Sequence, residues 1–248
     1  MPSPLDNHTP AEIDPATGQP RREFKARGSF VERCEGCNLP VLNCLCPYKV
    51  TAQSDAQVWL LTHRIEHYKP TNTGRLIGDV LAQTEVFTWH RTEPDARLLA
   101  LLADARFAPF VVFPDDQPDY ADRVVSIDAV MREKTSGKTP VYILIDGTWR
   151  QARRIFRRSP YLDTLPVLPL RTERETRYRL RKPASKAHLC TAEVAAELLR
   201  QGGDLDAADV LDDYFDAFNA SYAASRQYHK IKTPTDAMQR LLARQPTP

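Results

Sequence analysis

The residues best suited to chemistry gather at one junction. The run Val141-Tyr142-Ile143-Leu144-Ile145 leads straight into Asp146-Gly147-Thr148-Trp149, and an arginine-loaded helical pattern follows to Phe156. Five apolar, mostly β-favouring residues ahead of a carboxylate, a glycine and a hydroxyl predict a buried strand ending in a ligand-facing turn. The carboxyl ends of parallel strands gather loops and helix N-termini into a crevice, which is where such groups are useful. A carboxylate placed there can accept a proton or orient the group that does. A plainer alternative is that Asp146 or Thr148 only caps the next helix.

A second cluster is metal-like. Cys34, Cys37, Cys44 and Cys46 form a Cys-x2-Cys-x6-Cys-x-Cys pattern, four of the five cysteines in the chain. Two close pairs can give four thiolates to one tetrahedral zinc, and Gly36 is expected to permit the tight turn inside the first pair. Four thiolates leave no open position, so a structural role is expected. Free thiols, or an iron–sulfur cluster despite the unusual Cys-x-Cys half, are the alternatives.

The third group is basic. Arg150, Arg153, Arg154, Arg157 and Arg158 recur at three- and four-residue spacings after Trp149, and Arg171, Arg174, Arg177, Arg179, Arg181, Lys182 and Lys186 crowd the segment 171–188. Like charges on one short helix repel, and phosphates are the commonest reason to tolerate them. The expectation is a positive surface beside the crevice that neutralises an RNA backbone; an ordinary solvated face is the alternative. Between the first strand and helix lies a polar loop with His63, Arg64, Glu66, His67 and Arg75. Arg64 and Arg75 are candidates for gripping a carboxylate or phosphate. His63 and His67 stand four apart, but Pro70 argues against a regular helix there and no third zinc ligand is evident.

These groups need a frame. Strand patterns at 58–62, 84–88, 110–113 and 141–145 alternate with helical patterns through Leu76 and Val80, over 95–105, and after Trp149, predicting an α/β fold with a mostly parallel sheet flanked by helices. Pro166-Val167-Leu168-Pro169-Leu170 suits only a short strand end. Two further helices are expected, one from Thr191 to Gly202-Gly203 and one through Val210, Leu211, Tyr214, Phe215 and Phe218. The expected divisions are a disordered arm at 1–30, a four-cysteine knuckle at 31–48, a catalytic domain at 49–220 and a basic tail at 221–248.

Composition narrows the function classes. A hydrophobic content of 42% supports a core, and a formal charge of +2 makes charge arrangement more telling than balance. No apolar run approaches the roughly 20 residues needed to span a bilayer, and the acidic, apolar-poor N-terminus is unlike a secretory signal, so a cytoplasmic protein without membrane partners is expected. No Gly-x-Gly-x-x-Gly or Walker-type loop occurs, which leaves dinucleotide and P-loop functions unsupported.

The cysteine cluster, His63…Glu66…Thr71-Asn72-Thr73-Gly74, Phe113-Pro114, Asp146-Gly147-Thr148-Trp149 and Tyr178-Arg179…Leu189-Cys190-Thr191-Ala192-Glu193 together resemble the DTW-domain family over about residues 31–215. Cys190-Thr191-Ala192-Glu193 departs from the family's more usual Ser-Thr-Ile/Leu-Glu but keeps Thr191 and Glu193. The resemblance implies a tRNA-uridine aminocarboxypropyltransferase that moves the 3-amino-3-carboxypropyl group of S-adenosylmethionine to N3 of a tRNA uridine. It also implies a SPOUT-like fold with a C-terminal trefoil knot holding the donor, which periodicity cannot show. Under it, Asp146, Thr148 and Trp149 form the catalytic turn, with Asp146 as base or base-orienting residue. Pro114, Gly147, Leu168 and Thr191 would line the donor pocket. Arg64, Arg75, Arg150, Arg153, Arg154, Arg157, Arg179 and Lys182 would face tRNA, and Cys34, Cys37, Cys44 and Cys46 would hold zinc. Trp149 is expected to pack in the core rather than stack on a base. A monomer that binds no DNA completes the expectation. The rivals are an RNA methyltransferase of the same fold and a non-catalytic zinc-containing RNA-binding protein.

Overall fold

A computed structural model describes residues 31–178, 180 and 188–245. The expected N-terminal arm at 1–30 lies outside the described residues, as do Arg179 and Lys182.

The five strands are β1 (Gln57–Thr62), β2 (Thr84–Thr88), β3 (Phe107–Val112), β4 (Thr139–Asp146) and β5 (Val167–Leu168). They form one sheet in the order β2-β1-β4-β3-β5, every pairing parallel. β4 is central, pairing with both β1 and β3. A strand covered on both faces has no solvent side to favour polar residues, which accounts for the unbroken apolar run at 141–145. Alternate side chains serve two cores: Val58, Leu60, Tyr142 and Leu144 on one face, Trp59, Leu61, Val141 and Ile143 on the other. β3 begins three residues earlier than its apolar peak suggests and takes in Pro109.

The helices are α1 (Gly74–Val80), α2 (Ala96–Leu102), α3 (Ile127–Thr135), α4 (Trp149–Arg157), α5 (Thr191–Gln201), α6 (Leu205–Arg226) and α7 (Asp236–Ala243). α1, α3, α5 and α6 contribute to the first core, and α2 and α4 to the second. Gly203, with φ of 88°, takes the left-handed conformation just after α5 that a residue with a side chain would resist.

The stretch 221–248, expected as a basic tail, carries the end of α6 and a further helix in its described part. α6 runs on to Arg226, and α7 folds back so that Met238 and Leu241 are fully buried. The Asp213 carboxylate of α6 accepts from Arg240 of α7 at 2.6 Å. The physical reason is the apolar spacing of Ala237, Met238 and Leu241, all buried, which the surrounding charges obscure in a composition reading. Among the described residues, no helix is long and apolar enough to cross a membrane.

Candidate functional site

The carboxyl ends of β3 and β4 open into a cleft of about 680 Å³. Its floor is Leu144 to Asp146, and Gly147 to Trp149 lead from there to the rim. Val112 to Asp115 make one wall, Glu66 and Thr71 to Thr73 another, and residues from 169–178 and 188–194 close it in part. This is the place where a parallel sheet presents its loops, and the size suits a small organic ligand.

Asp146 ends β4 and is only 5% exposed. Thr191 Oγ1 donates to its Oδ1 at 2.7 Å, and Asn72 Nδ2 donates to its Oδ2 at 2.5 Å. One carboxylate therefore joins the β4 turn to the loop before α1 and to the first residue of α5. Gly74 makes this closeness possible: a Cβ there would stand 2.8 Å from Asp146 Oδ2. Thr148, not Asp146, caps α4. The Gln151 amide donates to Thr148 Oγ1 at 3.4 Å, and the Thr148 amide donates to Gln151 Oε1 at 2.7 Å. Gly147 lines the cleft, and a Cβ there would lie 3.1 Å from Gln151 Cβ.

Glu66, fully buried in the loop after β1, lines the cleft and pairs with Lys69. His63 Nδ1 bonds Gln151 Nε2 at 3.2 Å, and His67 Nε2 bonds Thr88 Oγ1 at 3.0 Å, so the two histidines are engaged apart from each other. Burial holds the His63 pKa below the usual histidine value, with Glu66 opposing. Burial pushes the Cys190 thiol up, which keeps this cleft residue protonated.

Several expected positions lie elsewhere. Trp149 is 42% exposed rather than in the core, because the buried face of α4 is Ala152, Ile155 and Phe156. Leu168 is buried in β5 beside Val112, and the neighbouring Pro169 and Leu170 line the cleft in its place. Of the other expected donor contacts, Pro114, Gly147 and Thr191 do line it. Arg64 is exposed away from the lining. Arg75 is half-buried on α1 outside the lining, and among the described residues its Nε and Nη2 have no hydrogen-bond partner.

The basic groups divide in two. Arg150, Arg153, Arg154 and Arg157 on α4 and Arg158 at its C-cap are all exposed. Arg153 pairs with Asp116 at 2.6 Å, and Arg154 lies over the Trp89 ring at 6.0 Å. Arg174 and Arg177, expected as part of that positive surface, are half-buried and engaged by acidic side chains. Arg174 contacts Glu197 at 3.2 Å and Asp212 at 3.0 Å; Arg177 contacts Asp212 at 2.7 Å and also pairs with Asp216. Glu193 ties the same segment down, accepting from Thr176 Oγ1 and the Arg177 amide at 2.6 Å each. Segment 171–178 is thus strapped across α5 and α6 as a wall of the cleft, and Tyr178 completes it by donating to the Thr71 carbonyl at 2.6 Å. Asn72, Gly74 and Glu193 are the contributors that sequence reasoning left without a role.

At the far end, the sulfurs of Cys34, Cys37, Cys44 and Cys46 all lie within 4.8 Å of one another. The Cys34–Cys46 and Cys37–Cys44 separations are 3.6 and 3.7 Å. Sulfurs about 2.3 Å from a tetrahedral zinc stand roughly 3.8 Å apart, so this donor set fits a metal ion. The left-handed residue of the knuckle is Asn38, φ 56°, and not Gly36. Gly36 instead leaves room for sulfur, since a Cβ there would come within 3.1 Å of Cys46 Sγ.

Fold and cleft together define an α/β protein with a cleft at the carboxyl edge of a parallel sheet and a separate metal-type cysteine cluster. The DTW domain profile matches residues 31–223, and the chain belongs to that family. It is similar to tRNA-uridine aminocarboxypropyltransferase 2 of Drosophila melanogaster, 27% identical over 179 residues that cover 67% of this chain and 65% of the relative. The protein of the same name from Mus musculus is 26% identical over 176 residues, covering 67% of this chain and 55% of the relative. Less than two thirds of either relative's length is therefore spanned. No solved structure matches significantly.

Proposed function

We propose that this protein transfers the 3-amino-3-carboxypropyl group of S-adenosylmethionine to N3 of a tRNA uridine. One observation carries the reading beyond the names of its relatives: charge is sorted by location. The described lining of the cleft holds the carboxylates of Glu66, Asp115 and Asp146 and no lysine or arginine, whereas α4 beside it exposes four arginines and its C-cap Arg158 a fifth. Lys69 and Arg171 reach two of those carboxylates from outside the lining. Such an interior suits a cationic small molecule and such an exterior suits a polyanion.

When bound, S-adenosylmethionine supplies an electrophilic γ-carbon beside its sulfonium, so that N3–C bond formation and C–S bond cleavage release methylthioadenosine and the N3 proton. The residues of the chain do the positioning. Asp146 holds Thr191 and Asn72 in register at the cleft floor and orients the proton acceptor for N3–H. Leu144, Leu170 and Val194 offer apolar cover, and Glu66 faces the ammonium or sulfonium charge. Thr148 and Gln151 fix the turn through the α4 cap. The SPOUT-like fold with a C-terminal trefoil knot belongs to this proposal, supported by a parallel sheet whose carboxyl edge carries the cleft, as do zinc as the metal of the cysteine cluster and a cytoplasmic location.

The test uses unmodified tRNA with donor labelled either in the carboxyl group or in the methyl group. Carboxyl label in tRNA, with a nucleoside mass matching the aminocarboxypropyl adduct of uridine, is expected. Label arriving only from the methyl would make the protein a methyltransferase, and absence of both would leave an RNA-binding protein.

A further inference from the structure

Trp149 is an unusual tryptophan for this molecule. Of the three, Trp59 is fully buried and Trp89 is 8% exposed, yet Trp149 shows 42% of its surface at the mouth of the cleft. A large aromatic left in water forgoes about 25 cal/mol per Å² of apolar area, and here the exposed ring stands in a concave lining and not on an open face. It is also shared between two concavities. Trp149 lines the main cleft and a shallower depression of about 360 Å³ formed with Pro114, Asp116, Arg153 and His188.

The surrounding rings support the indole without covering it. Phe113 meets it edge-on, centroids 6.5 Å apart at 68°, and is itself stacked flat on Phe156 at 4.3 Å and 2°. His188, on the opposite wall, lies at 5.3 Å but tilted by 55°. Phe113 is thus already satisfied, whereas Trp149 and His188 are neighbours that do not stack. Arg150 follows directly, and Arg153 shares the depression, tethered by Asp116 at 2.6 Å. An aromatic face flanked by guanidinium groups is the arrangement that receives an unstacked base and its phosphates.

We infer that Trp149, with His188 beside it, is the stacking platform on which the acceptor base of the RNA is held at the mouth of the cleft. This rests on the proposed tRNA modification. The donor's adenine is the rival occupant of the indole, and the arginines on its outer side favour the RNA base. The platform fixes the plane of the base and leaves its edge free to point toward the floor at Asp146, which makes Trp149 a substrate-binding residue and not a proton carrier.

Trp59 and Trp89 also fluoresce, so the difference between the native protein and Trp149→Phe isolates the Trp149 signal. Full-length protein is titrated with an unmodified tRNA transcript and, separately, with S-adenosylhomocysteine. The transcript should quench emission in the native protein and leave Trp149→Phe nearly unchanged. Trp149→Ala should weaken transcript binding about tenfold, Trp149→Phe less, and the loss in turnover should fall on KM for tRNA more than on kcat. Equal quenching in Trp149→Phe, no quenching by the transcript, or quenching by S-adenosylhomocysteine alone would each overturn the platform. Retained circular dichroism in Trp149→Phe excludes misfolding as the cause. Quenching without group transfer would sink the proposed reaction and keep the platform; group transfer without quenching would do the reverse.

Discussion

Replacing Asp146 with Asn keeps the size of the side chain but exchanges one acceptor oxygen for a donor. Thr191 and Asn72 both donate to this carboxylate; the amide can keep Asn72 only if its NH2 turns to Thr191, whose hydroxyl must then accept instead of donate, and a buried donor left unsatisfied costs about 1–3 kcal/mol. We expect Asp146→Asn to lose nearly all tRNA modification while retaining most tRNA binding, as measured by nucleoside mass spectrometry and filter binding; undiminished modification would remove Asp146 from the mechanism. Gly74 gives a cleaner view of the same geometry. A Cβ at that position would stand 2.9 Å from Asp146 Cγ, a contact that only a shift of the carboxylate or of α1 can relieve. Gly74→Ala is therefore expected to cost about 1–3 kcal/mol in denaturant unfolding and to impair modification, although alanine normally favours a helix. A variant as stable and active as the parent would show that the junction has slack.

The helix α4 and the strap at 171–178 look alike in the sequence, each a run of arginines, and the structure gives them opposite tasks. On α4 the inward positions are Ala152, Ile155 and Phe156, which leaves the arginines on the solvent side. Reversing Arg153 and Arg157 together to Glu should weaken tRNA binding strongly and flatten its dependence on salt, because each lost phosphate contact removes about one unit of counterion release. Unchanged affinity across a salt series would make α4 an ordinary solvated face. Arg174 and Arg177 are expected to contribute little to that slope, since Glu197, Asp212 and Asp216 already neutralise them. Their work is mechanical, holding the wall of the cleft against α5 and α6.

Across the whole molecule, the N-terminal knuckle and the C-terminal region stabilise each other. Asn43, buried beside the cysteines, donates to Ser225 Oγ at 3.1 Å and to the His229 carbonyl at 2.7 Å, and its Oδ1 accepts from the Ile231 amide at 2.8 Å. Gln245, beyond α7, donates to the Pro47 carbonyl at 2.6 Å. Leu39 and Leu45 of the knuckle are fully buried in the same core as Met238 and Leu241. Cys34→Ser combined with Cys37→Ser should therefore release bound zinc and lower the thermal midpoint, and also speed amide exchange at residues 225–231, far away in sequence. A purified native protein without metal, or exchange in that region untouched by the substitutions, would contradict this linkage.

The sequence by itself determined the local chemistry. Apolar run lengths marked β4, α/β alternation marked the sheet, and cysteine spacing marked the metal-type cluster, because each depends on neighbours a few residues apart. The flanking motifs also placed Asp146 at a strand end. Tertiary structure decided every question of facing and partnership: that Asp146 is shared by Asn72 and Thr191, that Thr148 makes the cap, that Trp149 stands in solvent, that Leu168 is core, and that Arg75, Arg174 and Arg177 turn away from the cleft. The reason is physical. A helix or strand pattern fixes which residues share a face, but the partner that meets that face arrives from loops and helices distant in sequence. Charges and rings choose their roles only once that partner is in place.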